Sequence, residues 1–468
     1  MTMTEIAQTI DAAFSAQRDT VASRRQSFGL AERRAALARL GRAIRQNETA
    51  LIAALATDFG KPEAEVILTE IVPVMQEIRH TSRHLRRWMR ARRVLPTLAT
   101  LGTSARVRPE ARGVCLIIAP WNYPFSLAIG PLVSALAAGN SAIIKPSEMA
   151  PATSAFIARL ISEIFPPDLV TVIEGAVDTS TELLAQPFDH IFFTGSPKVG
   201  KIVMGAAAKT LASVTLELGG KSPTIIGPDA DLNAAARWIA FGKFANAGQT
   251  CIAPDHVFVH HAVKNDFLTA LRDRIAGSYG TGPTSPHLAR IVNADHATRL
   301  AGLLRDAVAK GARVLLEGGQ KDREMGPTLI ESITPEMEID HEEIFGPILP
   351  IMTYDNLDTV IDRINGRPKP LALYIFSKQR SQVDRIIAAI SSGGVGVNLT
   401  VAQFVHPNLP FGGVNTSGIG MAHGHYGFRA FSHERAILSN HFSALPLIFP
   451  PYTPKVNRLV ALIKRILG

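Results

Sequence analysis

Between residues 111 and 220 short apolar runs alternate with helical patterns, and this restricts the fold more than any other feature of the chain. "ARGVCLIIAP" (111–120), "NSAIIKPSE" (140–148), "LVTVIEG" (169–175), "HIFFTGS" (190–196) and "SVTLELGG" (213–220) read as strands. "PLVSALAAG" and "SAFIARLISEIF" between them read as helices. Strands that alternate with helices predict an α/β, doubly wound sheet. Such sheets bind ligands at the carboxyl ends of their strands.

A second α/β stretch follows residue 220, with "SPTIIGP", "DHVFVHH", "ARVLLEGG", "ILPIMTY", "LALYIFS" and "GGVGVNL" as strand candidates. Residues 1–93 read as helices. The chain of 468 residues is too long for one simple core, so two or more domains are expected. Its 46% hydrophobic and 19% charged residues suit a well-buried protein and exclude a disordered one. Two cysteines give no disulfide framework, and no CxxC or His-rich cluster offers a metal site, so no metal and a reducing, cytoplasmic setting are expected. "MTMTEIAQTIDAAF" is acidic and lacks a continuous apolar core, so it does not read as a signal peptide. No apolar run approaches the roughly 18 residues of a membrane span.

The net charge of +9 could serve nucleic acid or an anionic membrane. Much of it lies in "SRHLRRWMRARR" (82–93), which reads as a solvated helix face or subunit contact. No aromatic platform or zinc-finger spacing accompanies it, which argues against nucleic acid. The end of the chain, "FPPYTPKVNRLVALIKRILG", predicts a short amphipathic helix with Val456, Leu459, Val460, Ile463 and Leu467 on one face. Lys455, Arg458, Lys464 and Arg465 go unbalanced by any acid there. Three roles stay open for residues 452–468: peripheral contact with an anionic membrane, a cover for a substrate entrance, or docking on its own or a partner subunit.

Some residues at the ends of these segments could do chemistry. Cys251, in "FANAGQTCIA" (244–253), has small neighbours that let a substrate approach and leave the thiol partly solvated. A lone cysteine is otherwise a buried, inert residue, which fits Cys115 in "GVCLIIA". Glu217 in "LELGG" ends a strand between leucines; partial desolvation would raise its pKa and suit a base, although a strand-end glutamate can equally be surface decoration. Asn122 in "PWNYPF" (120–125) sits on a rigid turn and could aim its amide at an oxyanion, or serve turn geometry alone. "FTGSPKVG" (193–200) is a strand-to-helix turn with Gly195 and Gly200 but no GxGxxG; its helix start could receive a pyrophosphate. Lys145 and Glu148 in "IIKPSE" could bond ribose hydroxyls or pair with each other. Glu343 and Phe345 in "EEIFGP" (342–347) could hold a second ribose and flank a ring.

In this order the signatures "PWNYPF", "KPSE", "FTGSPKVG", "LELGGKSP", "NAGQTC", "EEIFGP" and "LPFGGVNTSGIG" resemble the aldehyde dehydrogenase superfamily over nearly the whole chain. "KPSE", "ARIVNADH" (289–296) and "FSHERAIL…PPYTPKVNRLV" resemble its class 3 branch of fatty and aromatic (coniferyl-type) aldehyde dehydrogenases. The resemblance implies that Cys251 is the nucleophile, Asn122 an oxyanion donor and Glu217 the base that activates water. The reaction implied is oxidation of an aldehyde to the acid through a cysteine thiohemiacetal and thioester. It also implies NAD as cofactor, with NADP tolerated, held by Trp121, Lys145, Ser147, Glu148, Gly195, Ser196, Gly200, Leu218, Gly219, Glu343 and Phe345. The architecture implied is a Rossmann-like cofactor domain (1–88 and 106–218), an α/β catalytic domain (219–394) and a β-arm for oligomerisation (89–105 and 395–437), with a tail (438–468) and a homodimeric assembly. Tyr123, Phe244, Phe404 and Phe411, expected near the entrance, favour a hydrophobic aldehyde, long-chain aliphatic or aromatic. A CoA-acylating dehydrogenase, a thiol esterase and a non-catalytic protein on the same scaffold are the rival readings; Glu217, which hydrolysis needs, speaks against the first, the nucleotide signatures against the second, and retention of Cys251, Glu217 and Asn122 against the third.

Overall fold

The computed structural model describes residues 3–467; residues 1, 2 and 468 and the side chains of Met3 and Leu467 lie outside the described residues. The alternation after residue 111 folds as expected. A six-stranded sheet takes the spatial order Gly418–Ile419, Ser213–Leu218, His190–Gly195, Val114–Ile118, Ser141–Lys145, Val170–Val172. All its pairs are parallel except the first, where Gly418 and Ile419 run antiparallel to Glu217 and Leu216. The chain leaves Val114–Ile118 in one direction and returns to its other side with His190–Gly195. That reversal is a topological switch point, and it opens a crevice at the carboxyl ends of these two strands.

The strands are legible as continuous apolar runs because helices cover both faces. Ser126–Ala138 is buried on nearly every side and packs beneath Val72–Trp88 and Leu30–Gln46. Asp58 ties this layer to the next helix: its carboxylate accepts from Ala152 N, Thr153 N and Thr153 Oγ1 at 3.1, 2.9 and 2.7 Å, capping Pro151–Ile164.

A seven-stranded sheet takes the order Arg313–Leu316, Thr328–Glu331, Ile348–Tyr354, His256–His260, Pro223–Ile226, Ala372–Phe376, Gly394–Val397, parallel except for its first pair. The helical reading of residues 1–93 gives way at Arg92–Val94, a short strand. It joins Thr103–Ala111 and Ser432–Asn440 in an antiparallel three-stranded sheet whose two outer strands keep free edges within the chain. The tail forms the helix Pro454–Leu467 against Leu445–Ile448, with Val456, Leu459 and Ile463 half-buried and Val460 exposed. Among the described residues no helix is long and apolar enough to cross a membrane.

Candidate active site

Cys251 follows a tight turn, Ala245–Gly248, in which Asn246 and Ala247 both adopt left-handed backbone (φ 53° and 52°). Each such residue costs about 1–2 kcal/mol, so the turn needs partners to persist. Asn246 N donates to Glu65 Oε1 at 2.8 Å, and Asn246 Nδ2 donates to the carbonyls of Asn122 and Gln249 at 2.8 and 3.1 Å. Gln249 Nε2 donates to the Asn246 and Arg290 carbonyls, and its Oε1 accepts from Val292 N at 2.8 Å. Gly248 closes the turn at φ 77°, where a Cβ would lie 2.4 Å from the Gly346 carbonyl oxygen.

The "PWNYPF" turn at the end of Val114–Ile118 packs against this loop. Asn122 is buried and donates one amide hydrogen from Nδ2 to the Gln249 carbonyl at 3.0 Å, leaving the second for a ligand. Tyr123 Oη lies 2.7 Å from Thr250 Oγ1. Beneath both is an ion pair that sequence reasoning missed. Lys61 Nζ sits 3.2 Å from Glu70 Oε1, with both side chains wholly buried, 3.4 Å from the Asn122 carbonyl and 4.4 Å from the centre of the Tyr123 ring. Glu70 Oε2 accepts from Ser126 N at 2.8 Å. Lys61, Glu65 and Glu70 come from "GKPEAEVILTEI" (60–71), whose last turn, Ile67–Ile71, is π-helical, a local irregularity often found at functional sites. Charged residues inside an apolar helical stretch were the available signal.

Glu217 ends the strand Ser213–Leu218. It is buried, and neither carboxylate oxygen has a hydrogen-bond partner among the described residues, so burial pushes its carboxyl well above the ordinary range. Small neighbours predict a partly solvated thiol at Cys251, and the side chain is half-buried. Yet the thiol is pushed up to about 12, by burial first and then by the fields of Glu343 and Glu217. In the free chain it is therefore a neutral thiol rather than a ready thiolate. Cys251 and Glu217 line one cavity of about 360 Å³. Its other walls are mainly apolar and include Tyr123, Trp238, Phe404 and Phe411. Phe244 is absent from them: it packs in the core of the second sheet, 5.7 Å from the Tyr279 ring.

The remaining singled-out residues lie around the crevice. Lys145 ends Ser141–Lys145 and is buried, with Nζ 2.5 Å from Glu148 Oε2. Ser147, also buried, accepts at its carbonyl from Ser154 Oγ and at its Oγ from Met149 N. Gly195 ends the strand at the other side of the switch point, and Ser196 caps Pro197–Thr210 by accepting from Val199 N at 3.4 Å. Pro197 contributes no N–H, so this helix start has few donors left for an anion. Gly200 packs on Leu218, and Gly219 packs on Glu343, whose Oε2 would stand 2.1 Å from a Cβ at that position. Burial pushes the Glu343 carboxyl up to about 8, opposed by the Gly220 backbone N–H. Phe345 has φ 49°, unusual for a bulky residue, and its ring meets Trp121 edge-on at 5.2 Å. Trp121 also touches His296, 5.0 Å between ring centres, a residue of "ARIVNADH" not singled out by sequence.

A crevice at a sheet's switch point beside a cysteine and a buried carboxylate with no hydrogen-bond partner among the described residues is an arrangement that could serve attack on a carbonyl carbon. The aldehyde dehydrogenase family profile matches residues 1–437. The chain is 43% identical over 444 residues to 4,4'-diaponeurosporen-aldehyde dehydrogenase of Staphylococcus aureus, covering 94% of this chain and 96% of the relative. It is 44% identical over 403 residues to aldehyde dehydrogenase family 3 member A2 of Mus musculus, covering 85% and 82%. The substrate-bound structure of Staphylococcus aureus AldH superposes with a TM-score of 0.92 at 41% identity, covering 97% of this chain and 99% of that one. The chain belongs to the aldehyde dehydrogenase family, with class 3-type relatives, and is an oxidoreductase acting on aldehydes.

Proposed function

We propose that this protein oxidises a hydrophobic aldehyde to the carboxylic acid with NAD(P), through a Cys251 thioester. The observation that carries the reading is one apolar cavity lined by both Cys251 and an unpartnered, buried Glu217. NAD(P), when bound, supplies the hydride acceptor and a positive charge. Lys145, Ser147, Glu148, Gly195, Ser196 and Gly200 would hold its adenosine and pyrophosphate; Trp121, Leu218, Gly219, Glu343 and Phe345 would hold its reactive half. The donor set suits such a group: a buried lysine paired to a half-exposed glutamate offers both signs to ribose hydroxyls. Glu148 beside a ribose favours NAD over a 2′-phosphate, while Lys145 lets NADP be tolerated.

In this account Cys251 first gives up its proton to solvent, a loss that burial and the two carboxylates oppose and that the positive charge of a bound nicotinamide would ease, and the thiolate then adds to the carbonyl carbon. The free amide hydrogen of Asn122 and the Cys251 N–H stabilise the oxyanion of the thiohemiacetal. Loss of the hydride leaves an acyl group on Cys251. Glu217 then takes a proton from the water that releases the acid, which requires that the carboxyl first lose its own proton. The scarce donors at Ser196–Val199 suit a loosely held pyrophosphate, which leaves room for that water.

The relative that acts on 4,4'-diaponeurosporen-aldehyde, by its name, supports an apolar substrate. The six-stranded sheet supports a cofactor domain over residues 1–88 and 106–218, and the seven-stranded sheet a catalytic domain over 219–394. The free edges of the three-stranded sheet suit a homodimer arm, and its pairing runs on to Asn440. The test is a panel of aldehydes of increasing length, assayed with NAD and NADP, with product analysis in the presence and absence of CoA. The free acid is expected in both cases; an acyl-CoA product would overturn hydrolysis.

A further inference from the structure

The nucleophile and the oxyanion donor are tied to one turn, and a side chain from outside holds the start of that turn. Asn246, Ala247 and Gly248 are left-handed in succession, at φ 53°, 52° and 77°. Two of the three are not glycine, so the conformation persists only where its surroundings enforce it. The Gln249 carbonyl at the end of the turn accepts from Asn122 Nδ2 at 3.0 Å and from Asn246 Nδ2 at 3.1 Å. That carbonyl fixes the rotation of the Asn122 amide, and Cys251 follows it by two residues. A shift of the turn would move the thiol and misaim the free Asn122 hydrogen together.

At the start of the turn Asn246 N donates to Glu65 Oε1 at 2.8 Å, the one side-chain hydrogen bond that Glu65 makes among the described residues. Glu65 itself is not part of the cavity lining, so it acts on the site only through this bond. The segment that carries it is anchored independently. Lys61 and Glu70 pair within it with both side chains wholly buried, Glu70 Oε2 accepts from Ser126 N at 2.8 Å, and Leu68 and Thr69 line the cavity. The acceptor is thus presented to the turn from a fixed platform. An N–H is satisfied by any acceptor of the right reach, charged or neutral. Desolvation already raises the Glu65 carboxyl, against the field of Lys61 and the Asn246 N–H, so a neutral side chain of the same length suits the place.

We infer that Glu65 is a positioning residue for the oxidation: through the Asn246 N–H it holds Cys251 and the Asn122 amide in reacting geometry, and its reach rather than its charge matters. This rests on the reading of Cys251 as nucleophile and Asn122 as oxyanion donor.

Three substitutions separate reach from charge. Glu65→Gln keeps the acceptor and its reach without the charge, Glu65→Asp keeps the charge without the reach, and Glu65→Met removes both. Stopped-flow NADH formation from decanal with saturating NAD reads the first turnover. Its rate constant is expected to fall by about 10–100-fold in the Asp and Met variants, and Gln is expected to recover most of that loss. The amount of NADH formed per molecule in that turnover should stay as in the wild type, because a merely structural role would remove competent sites and lower the amount instead. Should the Met variant fail to fold, Asp against Gln carries the comparison. Alkylation of Cys251 by iodoacetamide without nucleotide reads the turn without aldehyde chemistry. Asp and Met are expected to react several times faster than wild type, because a loosened turn lets water reach the thiol, and Gln at about the wild-type rate. Equal first-turnover rates in all four proteins overturn the inference, as do equal alkylation rates or an Asp variant that matches wild type while Gln does not. The expected order of alkylation with no NADH from any aldehyde, wild type included, would contradict the proposed function and leave the positioning role of Glu65 standing.

Discussion

At Cys251 burial and two carboxylates hold the thiol neutral, and this has a measurable consequence in the free protein. A pKa raised to about 12 means that thiolate is scarce at neutral pH and grows with every step upward. The rate of alkylation by iodoacetamide in the absence of nucleotide should therefore rise about tenfold per pH unit from pH 7 towards pH 10; a plateau below pH 8 would contradict it. Glu217 is the second such residue. Glu217→Gln should lower kcat by about 10²–10⁴ while a first-turnover burst of reduced nucleotide survives, because only the deacylation step needs the base. Asn122→Ala should cost about 10²–10³ in kcat, read in the same assay. The motifs around these three residues were legible in the sequence, but the state of the thiol was not: it depends on burial and on Glu343 and Glu217, which only the fold brings about.

At the scale of elements, most strands of both sheets were readable because each is a short apolar run between helices, but Thr328–Glu331 and Gly418–Ile419, four and two residues long, were not. The turn before Cys251 was not. Its left-handed Asn246 and Ala247 are held by Glu65, 181 residues away in sequence, and by Gln249, whose amide also grips Arg290 and Val292. Phe244 shows the opposite failure. An aromatic next to the cysteine motif looks like a pocket wall, but it faces the core of the second sheet. The buried Lys61–Glu70 pair joins the amino-terminal helices to the Asn122 turn. Lys61→Met would leave Glu70 buried and unpaired, and should destabilise the protein by about 3–5 kcal/mol, with a larger loss of activity than of folded protein at low temperature. Thermal unfolding and kcat measured on the same sample check it; an unchanged Tm would remove the pair from the account.

For the whole molecule, the order of the sheets could be anticipated from the chain's alternation, whereas the role of its carboxyl end could not. The helix Pro454–Leu467 half-buries Val456, Leu459 and Ile463 against its own chain, yet exposes Val460, Leu462 and Ile466 beside four cations. Docking on the subunit accounts for the first face but not the second. Removal of residues 452–468 is expected to reduce co-sedimentation with anionic phosphatidylserine vesicles, and raised salt should do the same to the full chain. Equal sedimentation of both forms would assign the helix to docking alone. The expectations for catalysis depend on an acyl group carried by one cysteine. The most direct measurement is mass spectrometry of the Glu217→Gln protein, quenched in acid after a brief exposure to NAD and a hydrophobic aldehyde. The account predicts an added acyl mass on the peptide containing Cys251, with an equal amount of NADH formed. NADH without any adduct on that peptide, or an adduct on another residue, would contradict it.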